Sequence, residues 1–166
     1  MIINPLTFNL IHITDINNFP RYSRNCARWC ISPVFLNATN FLFFVSCVAY
    51  DEFVFGTKNC LEDSCDLFNI IINIPFFARK SVILLFTKAD LLEEKIKHSN
   101  IKEYFAEFQG DPRKLEDVQG FLFQMFDDRR QDKSKVLYHY FTAAGNIRYV
   151  FAAVQEILLK NNLKLV

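Results

Sequence analysis

Short, almost wholly apolar runs alternate along this chain with longer stretches of helical period, and that alternation restricts its fold more than any other feature. Phe41 to Val48 is one such run, ending near Asp51-Glu52. Ser81 to Phe86 is a second, and Val136 to Phe141 a third, with Tyr138 and Tyr140 on one face. Runs of this kind suit strands buried on both faces, as in a parallel sheet. Between them, Lys58 to Ile72 has helical spacing, with Leu61, Leu67, Ile70 and Ile71 apolar and Glu62, Asp63 and Asp66 solvated. Asp111 is placed to cap a second helix and Pro112 to fill its first position, where a missing N–H costs nothing. Leu115, Val118, Leu122, Met125 and Phe126 then recur on one face. A last helix is predicted from Asn146, striped by Ile147, Val150, Phe151, Val154, Ile157 and Leu158. Phe8 to Thr14 reads as a weaker strand. Strands alternating with helices predict an α/β fold, a parallel sheet with helices on both faces.

Length and composition bound the functions open to such a fold. The 166 residues fit one domain, and half of them are hydrophobic against 22% charged, which supplies a packed core and argues against disorder. A net charge of +1 gives no electrostatic reason to expect nucleic acid as partner. Residues 1–14 carry no Lys or Arg, so the charged region of a secretory signal is not seen there. Phe41 to Tyr50 is too short to span a bilayer, and Ile2 departs from the N-myristoylation pattern. Cys26, Cys30, Cys47, Cys60 and Cys65 follow no common zinc spacing and are expected as reduced, mostly buried thiols. His12, His98 and His139 are scattered and read as structural or surface histidines.

In a doubly wound sheet, chemistry gathers in loops at the carboxyl ends of strands. The second apolar run passes into Thr87-Lys88-Ala89-Asp90, followed by Leu91-Leu92-Glu93-Glu94-Lys95. A carboxylate such as that of Asp90 can accept two hydrogen bonds from the N1–H and exocyclic amine of guanine, which adenine does not supply. A Lys stem can lie along the base while its ammonium stays solvated. Alone, this tetrad is equally compatible with a surface turn after a strand.

The downstream segments decide between the two. Ile101-Lys102-Glu103-Tyr104-Phe105 and Glu107-Phe108-Gln109-Gly110-Asp111-Pro112, then Leu137-Tyr138-His139-Tyr140-Phe141-Thr142, and finally Asn146-Ile147-Arg148-Tyr149-Val150-Phe151-Ala152-Ala153-Val154 resemble the C-terminal half of heterotrimeric G-protein alpha subunits. The twelve/thirteen class is the nearest in pattern, and the likeness runs from about residue 35 to the C-terminus. The resemblance implies a Ras-like, P-loop-NTPase-like sheet that is incomplete here. It divides the chain into a divergent switch-two-like region, 1–34, and a well-matched half, 35–166.

The same resemblance implies GTP or GDP as ligand, with Thr87, Lys88, Asp90 and Ala144 at the guanine base. Thr87 stands where alpha subunits usually have Asn, which weakens base recognition. Asp15 falls on the family's magnesium-site Asp, but Asp15-Ile16-Asn17-Asn18-Phe19 lacks the glycines and the Gln of D-V-G-G-Q. No G-x-x-x-x-G-K-S/T occurs in the 166 residues, and neither does the arginine-bearing switch, so no catalytic residue is assigned and hydrolysis by this chain alone is not expected. Without the P-loop strand, Phe8 to Thr14 is expected to pair with Phe41 to Val48. Ile157, Leu158, Leu163, Leu165 and Val166 match the tail that meets a G-protein-coupled receptor. A beta-gamma dimer, an effector such as a Rho exchange factor, and residence at the inner face of the plasma membrane follow from the family. Two alternatives stand beside this reading: a non-enzymatic receptor- or effector-binding module, and an incomplete chain of a normal GTPase.

Overall fold

The three apolar runs become three strands of one parallel sheet. The computed structural model describes residues 40–54, 56–73, 75, 81–134 and 136–143, all within the compact unit Asn40–Val166. In chain order the elements are β1 (Asn40–Ser46), β2 (Phe53–Val54), β3 (Lys58–Asn59), α1 (Cys60–Ile72), β4 (Ser81–Thr87), α2 (Ala89–Lys95), α3 (Leu115–Asp127) and β5 (Tyr138–Thr142). The sheet order is β1-β4-β5, with Phe41 opposite Val82 and Thr87 opposite both Ser46 and Thr142. The expected parallel sheet is therefore present. The proposed pairing of Phe8 to Thr14 and the helix from Asn146 lie outside the described residues.

Alternation along the strands sorts side chains onto two faces. Phe43, Val45, Val82, Leu84 and Phe86 share one face and are all buried. Against it pack α1 and α3 through their own rings. Phe68 stands edge-on to Phe43 at 5.2 Å, and Phe126 lies 5.4 Å from Phe68 and 5.6 Å from Phe86. The abundance of Phe is thus put to use as an edge-to-face aromatic core, the arrangement that ring quadrupoles favour. On the other face, Ile83 and Leu85 are fully buried, flanked by Leu42, Tyr138 and Tyr140, as the shared face of the two tyrosines predicted.

Helix α1 begins later than the pattern suggested. Lys58 and Asn59 form β3, which pairs antiparallel with β2 across a turn where Gly56 takes φ +71°. A two-residue strand is too short to show a period, so the hairpin left no sequence signal. Asn59 ends the hairpin and starts the helix. Its Oδ1 accepts from the amides of Leu61 (2.8 Å) and Glu62 (3.3 Å), and its Nδ2 donates to the Tyr50 carbonyl at 2.6 Å. The buried face of α1 is Leu61, Cys65, Phe68 and Ile71, whereas Leu67 and Ile70 are only half-buried. Asn59→Ala removes a cap and orphans a buried carbonyl. Its expected cost is about 2–3 kcal/mol in urea unfolding, and a loss under about 1 kcal/mol would refute this account.

The second predicted helix start is also corrected. Helix α3 begins at Leu115, and the capping position is held by Lys114, whose side chain makes no capping bond. Asp111 instead closes the turn ahead of the helix, accepting from the Arg113 amide at 2.9 Å. Asp117, in the first turn of α3, reaches back to accept from the Asp111 amide at 3.0 Å. Gly110 permits this, because a Cβ there would sit 2.9 Å from both Asp117 Cβ and Phe108. Val118, Leu122 and Phe126 form the buried stripe, as the spacing predicted, with Leu115 and Met125 half-covered.

Candidate functional site

The Thr87-Lys88-Ala89-Asp90 tetrad lies at the carboxyl end of β4, where the sheet passes into α2. Neighbouring strands hold this end in place. Thr87 Oγ1 donates to the Val45 carbonyl of β1 at 3.1 Å. The Thr87 carbonyl accepts from the Cys47 amide at 3.1 Å and from its Sγ at 2.8 Å. Burial pushes the Cys47 thiol up to about 12, with the nearby Asp90 charge adding to the rise, so the thiol stays protonated and inert. Cys60 and Cys65 are likewise free thiols, and Cys65 is buried with its thiol also raised to about 12 by burial. Cys26 and Cys30 lie outside the described residues.

Lys88 is the hinge of the loop. It adopts φ 63°, ψ 36°, and among the described residues it is the one non-glycine with positive φ. Its carbonyl accepts from the Leu92 amide at 3.0 Å, which starts α2, while its side chain is exposed. The left-handed turn directs the chain abruptly from strand to helix and leaves Asp90 exposed in the first turn. Fully buried Leu92 anchors the helix beneath. A lysine in this conformation costs about 1–2 kcal/mol, of which glycine would recover only part because of its freer unfolded chain. Lys88→Gly should therefore raise the unfolding free energy by about 0.5 kcal/mol. A net destabilisation in urea titration would show that the lysine stem makes contacts of its own.

The second loop leaves from the same end of the sheet. Thr142 of β5 is in register with Thr87, and Phe141 stacks on Phe86 with centroids 4.5 Å apart and planes 9° from parallel. Ala143 follows directly, half-buried. The two sequence-predicted base loops thus begin on adjacent strands at one end of the sheet. Ala144 itself lies outside the described residues, as do Asp15 and the receptor-tail residues Ile157, Leu158, Leu163, Leu165 and Val166. His139 is exposed, with Phe123 stacked on its ring at 3.9 Å, and partial burial holds its imidazole below the ordinary histidine range.

Lys88 and Asp90 are both exposed, two positions apart where β4 passes into α2. Among the described residues no cluster of three His, Cys, Asp or Glu side chains could hold a metal ion, and no helix is long and apolar enough to cross a membrane. Two residues that sequence reasoning overlooked also belong to this end of the sheet. Lys95, at the end of α2, donates to the Val48 carbonyl at 2.6 Å and forms an ion pair with Asp51.

Comparison with known proteins converges on the same stretch. The family described as "G-protein alpha subunit" matches residues 23–158. The chain is 44% identical over 131 residues to guanine nucleotide-binding protein subunit alpha-12 of Homo sapiens, covering 76% of this chain and 34% of that protein. The Rattus norvegicus subunit alpha-12 is also 44% identical, and subunit alpha-13 of Homo sapiens is 43% identical over 136 residues, covering 78% of this chain and 36% of the relative. The chain spans about a third of the length of these curated relatives.

Proposed function

Because the chain belongs to the G-protein alpha-subunit family, we propose that it acts in G-protein signalling as a guanine-nucleotide-binding subunit with impaired or no GTP hydrolysis. The observation that carries the reading is the tetrad Thr87-Lys88-Ala89-Asp90 at the end of β4, beside the Thr142-Ala143 end of β5. Guanine is read by the Asp90 carboxylate and the Lys88 stem, with the Ala144 amide completing the site from the second loop. The Thr87 hydroxyl is engaged with β1 and braces the loop. Base contacts without a phosphate cradle give weak affinity, since the backbone amides and Lys of a Gly-rich loop supply the dominant share in nucleotide sites of this kind. The 166 residues contain no such loop. Magnesium, for which Asp15 is the family-matched residue, would bind correspondingly weakly.

Residues 35–166 are the well-matched half under this reading and residues 1–34 a divergent switch-two-like region. The receptor is met by Ile157, Leu158, Leu163, Leu165 and Val166, the apolar residues matched to the family's receptor-contacting tail. A beta-gamma dimer and a Rho exchange factor are the further partners of the class, at the inner face of the plasma membrane. The test is equilibrium titration of the purified chain with a fluorescent GDP analogue, with GTP and ATP as competitors. Saturable binding competed by GTP and not by ATP is the expected result, with little or no phosphate released from GTP. Equal competition by ATP, or none by either nucleotide up to millimolar concentration in a folded sample, would overturn it.

A further inference from the structure

The loop after β1 and the helix after the guanine tetrad are joined by one buried-edge network. Lys95 lies in the last turn of α2, seven residues beyond Lys88. Its ammonium donates to the Val48 carbonyl at 2.6 Å, pairs with the Asp51 carboxylate, and sits 5.0 Å from the centre of the Tyr50 ring. Asp51 also accepts from Ser99 Oγ at 3.2 Å, and the Tyr50 hydroxyl donates to the Ser99 carbonyl at 3.1 Å. Tyr50 is fully buried, and its carbonyl is held from the far side by Asn59. The Ala49–Asp51 turn is thus fixed to the base of α1, and α2 is fixed to that turn. Both side chains of the pair are about four-fifths covered, at 23% and 21% exposure, so water screens them less than a surface pair.

We infer that Lys95 is a positioning residue for guanine recognition, holding α2 against the Tyr50-Asp51 turn so that Asp90 is presented at a fixed angle. The inference rests on the guanine reading of the tetrad. The geometry explains why a lysine is needed. α2 is only seven residues long, too short to be stable on its own propensity, and it begins at a strained Lys88. Leu92 anchors its middle, and at its end the tie at Lys95 acts together with buried Ile96. A helix pinned at one point can rotate about that point, whereas two separated anchors fix both its position and its direction. Displacement of the Tyr50-Asp51 turn would therefore be felt at Asp90.

The test compares Lys95→Met, Asp51→Asn and Lys95→Arg with the unaltered chain, using amide hydrogen exchange, which needs no nucleotide. The informative amides are Leu92, bonded to the Lys88 carbonyl, and Ile96, bonded to Leu92. Lys95→Met and Asp51→Asn are expected to accelerate these about tenfold, leaving the β4 amides of Leu84 and Leu85 unchanged, and Lys95→Arg to restore most of the protection. Unchanged exchange at Leu92 and Ile96 would overturn the inference. So would equal acceleration of Leu84 and Leu85, which marks Lys95 as a contributor to general stability only. Asp51→Asn, which keeps the shape of its side chain, serves if Lys95→Met fails to fold. Titration with fluorescent GDP in parallel separates the two claims: no binding by the unaltered chain counts against the guanine reading, and the exchange comparison still decides the role of Lys95.

Discussion

Phe126→Ala is expected to lower the unfolding free energy by about 3–5 kcal/mol, a large part of the 5–15 kcal/mol typical of a domain. Phe126 is fully buried and touches three other rings, Phe43 at 6.3 Å, Phe68 at 5.4 Å and Phe86 at 5.6 Å. The truncation removes transfer energy, leaves a cavity between sheet and helices, and deletes edge-to-face contacts with rings from β1, α1 and β4. Those neighbours belong to separate elements, so they cannot collapse together into the space without shifting the sheet register. Phe126→Leu keeps most of the volume and should cost about 1–2 kcal/mol. Urea unfolding with an unchanged m-value is the measurement. A loss below about 2 kcal/mol for alanine would mean that the aromatic cluster is not the centre of the core.

Asp90→Asn is expected to weaken binding of guanine nucleotide by roughly 10²–10³-fold. The carboxylate accepts two charge-assisted hydrogen bonds from the base in the proposed site, and bonds to a charged group contribute about 1.5–3 kcal/mol each. The amide that replaces it turns a donor toward one of guanine's own donors, so one bond is lost and a second is weakened. A combined loss of about 3–4 kcal/mol corresponds to that range in Kd. The effect is confined to guanine nucleotides, and thermal unfolding of the variant serves as the control for folding. Affinity retained within threefold would remove Asp90 from the site and, with it, the guanine reading.

Much of this architecture was legible in the sequence because burial on both faces leaves a plain mark. Phe41 to Val48 and Ser81 to Phe86 have few polar residues to mislead, and both are strands within two residues of the predicted ends. The 3.6-residue stripe of Val118, Leu122 and Phe126 was equally direct. The misplaced features are those decided by side chains that reach across the chain. Asp111 has the right chemistry for a cap, but Asp117 binds its amide and holds it ahead of the helix. Asn59 lies in a stretch of apparent helical spacing, yet its bond to Tyr50 draws it into the hairpin. The tetrad at β4 was ambiguous on its own four residues and took its reading from the segments downstream. The tie between Lys95 and Asp51 was not, since 44 residues separate the partners and neither position carries a local pattern.

The parallel register of β1 and β4 also sets a timetable for making the protein. Cys47 and Thr87 are bonded neighbours in the sheet, although 40 residues lie between them along the chain. Closing a loop of that length costs about 3 kcal/mol in chain entropy before any sheet contact compensates, and parallel pairings of this kind form slowly. At about 5–20 residues per second, a ribosome needs on the order of 2–8 seconds to extend from one partner to the other. Through that interval Phe43 and Val45, buried in the finished protein, emerge ahead of the strand with which β1 pairs. Nascent chains of this protein therefore carry an unpaired apolar segment for seconds before β4 is available to it.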